Sequence, residues 1–209
     1  QENKSIMDLF DYINKIPQNL LSRDGIVFYY GPIIPRDRAN YYFDTLMCGI
    51  AWEPDRAFIF GKTIITKRKV AWYADKAFSY TYSKTTKKAL PWTKTLLELK
   101  AIAERESGEI YNSCLLNLYH DGSQGMAWHS DGEKDLQQNG AIGSISLGAE
   151  RKFALKNRKT KEVVTKILEH GSLLVMKGTT QTHWVHRLPP TKIVHTPRIN
   201  LTFRKIATG

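Results

Sequence analysis

Residues 126–132 read MAWHSDG, and His129 and Asp131 stand two apart with only the small Ser130 between them. In a strand, positions i and i+2 project to one face, so an imidazole and a carboxylate enter the same space. Alone, such a pair arises easily by chance, and its default reading is a solvated or hydrogen-bonded pair. A third donor changes the balance. The segment QTHWVHRLPP (181–190) supplies His183 and His186 on an expected late strand. Two histidines and one carboxylate occupy one face of an octahedral ion and leave its other positions open. That is the donor set of non-haem Fe(II) oxygenases, with room for a co-substrate and dioxygen. A spacing of three is odd, so His183 and His186 cannot both face one side of a regular strand. One of them is structural, and composition does not choose which.

A second pattern follows in PRINLTFRK (197–205). With period two, Arg198, Asn200, Thr202 and Arg204 share one face, and Ile199, Leu201 and Phe203 the other. A surface strand with one wet and one dry face explains this. A sharper reading uses length: the two arginines lie about 20 Å apart along an ideal strand, and inward-leaning side chains leave a gap of about 7 Å. That gap spans a five-carbon dicarboxylate, and arginine forks bind carboxylates at two points. Asn200 adds an amide between them. In LLNLYHDG (115–122), Asn117 and Tyr119 share a face and offer an amide and a phenol. A metal with open positions beside a dicarboxylate clamp points to 2-oxoglutarate.

These groups need a rigid frame. From residue 111 onward the chain reads as short strands at 111–119, 126–129, 142–148, 151–156, 163–168, 172–176, 183–187 and 198–206, punctuated by turn signals such as HDGSQG and KNRKTK. Such a series predicts a sandwich, a barrel or a jelly roll. The first half is mixed. SIMDLFDYINKI (5–16) opens with a capping-box pattern and helical spacing. IVFYY (26–30) predicts a strand, and Pro35 opens a helix over about 36–49. AFIFGKTIIT (57–66) predicts two short strands around Gly61. A further helix follows Pro91 and stops at Gly108. The organisation expected is one domain over 1–209: an N-terminal α/β region (1–110) and a mainly β core (111–206), with helices packed outside.

The 209 residues carry a net charge of +11 and a pI near 9.6. The balance favours a polyanionic partner, usually nucleic acid, over a merely basic soluble protein. Arg151, Lys152, Lys156, Arg158, Lys159, Lys161 and Lys166 crowd one region. Lys67, Arg68 and Lys69 form a second cluster, and Lys84, Lys87 and Lys88 a third near Tyr80 and Tyr82. Charge beside aromatic rings suits phosphates and bases. Cys48 and Cys114 form no CxxC, which argues against a disulfide scaffold or a thiolate zinc site and for a reducing setting. No apolar run is long enough for a membrane helix, and no secretory leader is expected. The first residue is Gln1 rather than Met, compatible with a start inside a longer protein.

In combination, NLY (117–119), HSD (129–131), His186 and RINLTFR (198–204) resemble the AlkB family of Fe(II)- and 2-oxoglutarate-dependent dealkylases, over about residues 56–206. The resemblance selects His186 over His183. It implies a double-stranded β-helix, or jelly roll, with an N-terminal nucleotide-recognition region. It implies His129, Asp131 and His186 as iron ligands. Arg198 would bind the distal carboxylate of 2-oxoglutarate, Asn200 and Arg204 would act at its chelating end, and Asn117 and Tyr119 would complete the pocket. FGK (60–62), RK (68–69), YAD (73–75) and YTYS (80–83) look like the segments with which the duplex-DNA branch meets its substrate. There Tyr82 would stack on a flipped base against His129, with Tyr80 and Glu133 at the base edge and Arg68 and Ser83 nearby. Phe60 would be a wedge between base steps or a buried hairpin aromatic. Gly132 departs from the charged residue usual after the ligand aspartate.

The activity so implied is oxidative removal of N-alkyl groups, as from 1-methyladenine and 3-methylcytosine in single- or double-stranded DNA. The cofactors would be Fe(II), 2-oxoglutarate and dioxygen. The alternatives are the same chemistry on RNA, or a non-catalytic nucleic-acid-binding jelly roll. A monomer is expected, off the membrane and intracellular: nuclear in a eukaryote, cytoplasmic in a bacterium.

Overall fold

The computed structural model describes residues 17–59, 62–82 and 85–207, with side chains of 57–64 and 80–87 left aside. The helix expected at 5–16, and Phe60, Gly61, Ser83 and Lys84, lie outside the described residues. In chain order the elements are β1 (Ile26–Pro32), α1 (Arg36–Gly49), β2 (Glu53–Ile59), β3 (Lys62–Ala74), β4 (Ser79–Tyr82), β5 (Thr85–Lys88), α2 (Lys94–Ser107), β6 (Ser113–Tyr119), β7 (Met126–His129), β8 (Ile142–Gly148), β9 (Arg151–Asn157), β10 (Val163–Leu168), β11 (Ser172–Lys177), α3 (Thr180–His183), β12 (Trp184–Leu188) and β13 (Arg198–Arg204). Seven strands form one sheet in the order β1-β11-β8-β13-β6-β3-β2, and four form a second, β10-β9-β12-β7. From β6 to β13 the chain passes back and forth between the two sheets, which is the jelly-roll weave. All the sheet pairings are antiparallel. Among the described residues β4 and β5 pair only with each other.

Helix α2 shows how sequence dictates its ends. The Thr93 side chain accepts the Leu96 N–H, and Gly108 closes the helix at φ 70° while its N–H donates to the Glu104 carbonyl. Leu96, Leu99 and Ala103 fall on one stripe and are buried, as are Ala39, Tyr42 and Leu46 of α1. Both stripes join the outer face of the large sheet, where Cys114, Leu116, Ile145, Leu147, Ile199, Leu201 and Phe203 are fully buried. Each such leucine or isoleucine contributes about 1.5–3 kcal/mol. A second apolar cluster between the sheets, including Val27, Phe153, Leu155, Leu174 and Trp184, closes one end of the jelly roll.

Two expectations change, and of the two readings of PRINLTFRK one is excluded. The strand containing Arg198–Arg204 is not a surface strand. It lies between β6 and β8, and six of its seven residues are buried. Its apolar face meets the helices, and its polar face looks into the space between the sheets. The second of the two strands expected around Gly61 is longer than expected: β3 runs to Ala74 because it pairs with β6 as well as with β2. The N-terminal region thus shares the large sheet with the strands of the core. Finally, His183 ends a short helical turn rather than starting a strand, so β12 begins one residue later.

Candidate active site

His129 closes β7, and His186 lies midway along β12 directly opposite it in register. Their rings stand 4.3 Å apart between centroids. Asp131 follows as the chain leaves the sheet, and its backbone N–H donates to Gln181 Oε1 at 2.9 Å. Nε2 of His129 lies 3.9 Å from Asp131 Oδ1, and Nε2 of His186 lies 3.9 Å from Oδ2. One donor atom from each of the three residues falls within 4.8 Å of the others, the one such group among the described residues. Nδ1 of His129 is 2.7 Å from the Ala127 carbonyl. A carbonyl only accepts, so this nitrogen carries the proton and the Nε2 lone pair is free for a metal. Burial pushes the His186 imidazolium down to about 4, leaving its ring neutral at pH 7. Burial alone would raise the Asp131 carboxyl, but Arg204 and the two histidines outweigh it and hold it below its ordinary value. An anionic Asp131 carboxylate beside the neutral His186 imidazole suits a divalent ion. His183 is exposed and takes no part.

The polar face of β13 adjoins this trio. Across the strands Arg198 neighbours Tyr119, Asn200 neighbours Asn117 and Ser146, and Thr202 neighbours Ser144. Arg204 Nη2 contacts Asp131 Oδ1 at 2.9 Å, and its Nη1 contacts Glu133 Oε1 at 3.1 Å. Arg198 differs. Only 2% exposed, it donates from Nη2 to Ser146 Oγ at 2.9 Å and lies 5.5 Å over the Tyr119 ring. No acid pairs with it among the described residues, and burial lowers its pKa to about 10. Its Nε, Asn117 Oδ1 and Ser172 Oγ are buried without a partner. A buried cation without a counter-charge is costly. This cradle therefore fits an anionic ligand, and the neighbouring trio fits iron: together they match a dicarboxylate held beside a metal.

The remaining predicted residues scatter more. Arg68, expected at the substrate, has a side chain only 12% exposed. It is ion-paired with Asp55, touches Met126 Sδ and lies 5.9 Å over Tyr119. It buttresses the tyrosine of the pocket. Glu133, expected at a base edge, extends its half-exposed side chain to Arg204. Tyr80 and Tyr82 belong to β4, while their side chains, Phe60 and Ser83 lie outside what is described. A Cβ added at Gly132 would meet nothing nearer than Ser130 Oγ at 3.9 Å, so the space beside the ligands is open there. The basic crowd at 151–166 splits. Arg151 is buried and donates to the carbonyls of Asp121, Gly122, Gln124 and Pro189. Lys166 lies over Tyr29. Arg158 donates to Ser130 Oγ at 2.8 Å, at the rim of the trio.

Gln181 was not foreseen. Its bond to Asp131 spans fifty residues, and no periodicity or motif announces such a contact. Ser146, which receives Arg198, likewise reads from sequence as an ordinary strand serine.

The profile of the 2OG-Fe(II) oxygenase superfamily matches residues 27–204. The chain is 41% identical over 123 residues to DNA oxidative demethylase ALKBH2 of Mus musculus, covering 55% of this chain and 52% of that protein. It is 40% identical over 124 residues to alpha-ketoglutarate-dependent dioxygenase alkB homolog 3 of Bos taurus, covering 55% and 43%. With ALKBH2 of Homo sapiens the identity is 38% over 159 residues, 72% of this chain and 61% of the relative. The chain thus spans about half the length of these curated relatives. The solved structure of OsALKBH1 superposes with a TM-score of 0.62 at 14% identity, over 88% of this chain and 98% of the other, and so shares the fold. The profile match over most of the chain, the metal trio and these identities converge: the chain belongs to the 2OG-Fe(II) oxygenase superfamily, and within it to the AlkB family.

Proposed function

We propose that this protein is an Fe(II)- and 2-oxoglutarate-dependent dioxygenase that removes alkyl groups from ring nitrogens of bases in DNA, such as those of 1-methyladenine and 3-methylcytosine. The observation that carries the reading is the buried, acid-free Arg198 lying on the same strand as Arg204, which touches the metal trio. The likeness to proteins named DNA oxidative demethylase supports the substrate.

His129, Asp131 and His186 would hold the iron through two nitrogens and one oxygen. Arg198, with Tyr119 and Ser146, would bind the distal carboxylate of 2-oxoglutarate. Arg204 and Asn200 would orient the chelating end, and Asn117 would supply a further polar contact. When bound, iron and 2-oxoglutarate supply the activation of dioxygen, with release of succinate and carbon dioxide. One oxygen atom enters the N-methyl group, and the resulting N-hydroxymethyl base breaks its carbon–nitrogen bond to give formaldehyde and the restored base. Arg204 keeps Asp131 ionised and in place, and Gln181 fixes the backbone from which Asp131 projects. Extruding the base costs a few kcal/mol, less where methylation has already blocked pairing. The open space at Gly132 leaves room on the substrate side of the ligands.

The test is formaldehyde release from methylated oligonucleotides by protein supplied with Fe(II) and 2-oxoglutarate, on DNA and on RNA at matched salt. Release from DNA well above RNA supports the reading. Release from RNA alone keeps the chemistry and overturns the substrate.

A further inference from the structure

The outer face of the four-stranded sheet holds an arrangement that the reaction does not use. His129, His186 and Leu155 point inward in register, so Trp128, Arg187 and Lys156, one residue away from each, point outward. All three are half-buried. Lys156 Nζ lies 4.4 Å from the centroid of the Trp128 ring, and the Arg187 guanidinium carbon lies 4.5 Å from it. Two cations thus converge on one indole, and no carboxylate pairs with either among the described residues. Arg187 Nε is buried without a partner. A cleft of about 340 Å³ opens beside them, lined by Gly125, Met126, Ala127, Trp128, Arg187 and Pro190. Lys152 is exposed on the same face of β9, two pairs along from Lys156.

Two cations gathered on one ring without a carboxylate partner carry uncompensated positive charge, and the ring quadrupole offsets only part of it. An anion bound beside them would balance that charge. We propose that Trp128, Lys156 and Arg187 form a phosphodiester-binding site for the strand flanking the nucleotide being repaired, with the indole holding the two cations in place before the strand arrives. The position supports this, because Trp128 and Arg187 are chain neighbours of the ligands His129 and His186. The proposal thus has the flanking strand pass over the outer face of the same strands whose inner face carries the metal trio. The proposal rests on the nucleic-acid reading above.

Two measurements separate the proposal from that reading. Binding of an unmethylated single strand of about 15 nucleotides, followed by fluorescence anisotropy across salt concentrations, reads the patch without any chemistry. Lys156→Gln is expected to reduce the slope of log Kd against log salt by about 0.7, and Lys156→Gln with Arg187→Gln by about 1.4. The double variant should bind about tenfold more weakly at low salt. Demethylation of a methylated trinucleotide, too short to reach the patch, should be unchanged in the Lys156→Gln protein. An unchanged slope and affinity in both variants overturns the proposal. A fall in trinucleotide turnover matching the loss of long-strand affinity in Lys156→Gln overturns it too, since that marks a disturbed metal site. Failure of every methylated substrate to release formaldehyde overturns the reaction, while the salt slope still decides the patch.

Discussion

Arg198 states the residue-scale argument most plainly. A fully buried guanidinium with a serine and a tyrosine ring for company is stabilised only when its ligand arrives. Arg198→Gln should therefore raise the Michaelis constant for 2-oxoglutarate about 10–100-fold, from the loss of a charge-assisted pair worth about 1.5–3 kcal/mol. The same change should leave the melting temperature of the ligand-free protein unchanged or higher, and abolish the rise in melting temperature that 2-oxoglutarate gives the parent. A variant that melts lower without ligand would assign Arg198 to the core rather than to a site. Gln181→Leu removes the acceptor for the Asp131 N–H. Iron affinity, measured by titration of the ligand-free protein, should fall about 10–100-fold while the fold stays intact. Of these residues the sequence displays Arg198, Asp131 and His129 openly, since their spacing follows the strand period. It displays His186 only with help, because the three-residue gap to His183 admits either. It hides Gln181, whose partner is set by where β12 and its preceding turn happen to lie.

Elements explain which expectations changed. The alternation in RINLTFR looks the same whether its polar face meets water or lines a pocket; β6 and β8, which flank β13 and bury it, exclude the surface strand. The strand series of the core, by contrast, was readable to within two residues, because most of its strands are bounded by glycine, proline, asparagine or a charged turn. Gly148 shows why such a boundary matters. It adopts φ 85° at the end of β8, and an added Cβ would lie 2.5 Å from the Pro197 carbonyl oxygen and 2.6 Å from the Phe43 ring. Gly148→Ala combines left-handed strain with a backbone clash beside Arg198, and should destabilise by about 2–4 kcal/mol. Chemical denaturation would show this as a lower midpoint. A midpoint equal to the parent's would mean that the turn between β8 and β9 can relax, and that the approach of residue 197 does not hold Arg198 in place.

At the scale of the molecule, two sheets place a metal trio at one edge of an inner polar face while the helices seal the other face of the large sheet. The net charge of +11 is spread unevenly. Arg151 and Arg198 are spent inside, Lys156 and Arg187 lie on the outer side of the metal-bearing strands, and Arg158 lies at the rim of the trio. Binding to DNA should accordingly weaken as salt rises, and Asp131→Ala should keep that binding while losing iron-dependent turnover. Equal loss of both would make the trio a structural feature. The most direct test of the account is mass spectrometry of N-methylated DNA after incubation with the protein, Fe(II) and 2-oxoglutarate in air. The account predicts restored bases, with formaldehyde and succinate formed in equal amounts. Intact methylated bases, with no formaldehyde from DNA while iron and 2-oxoglutarate are both bound, would contradict it.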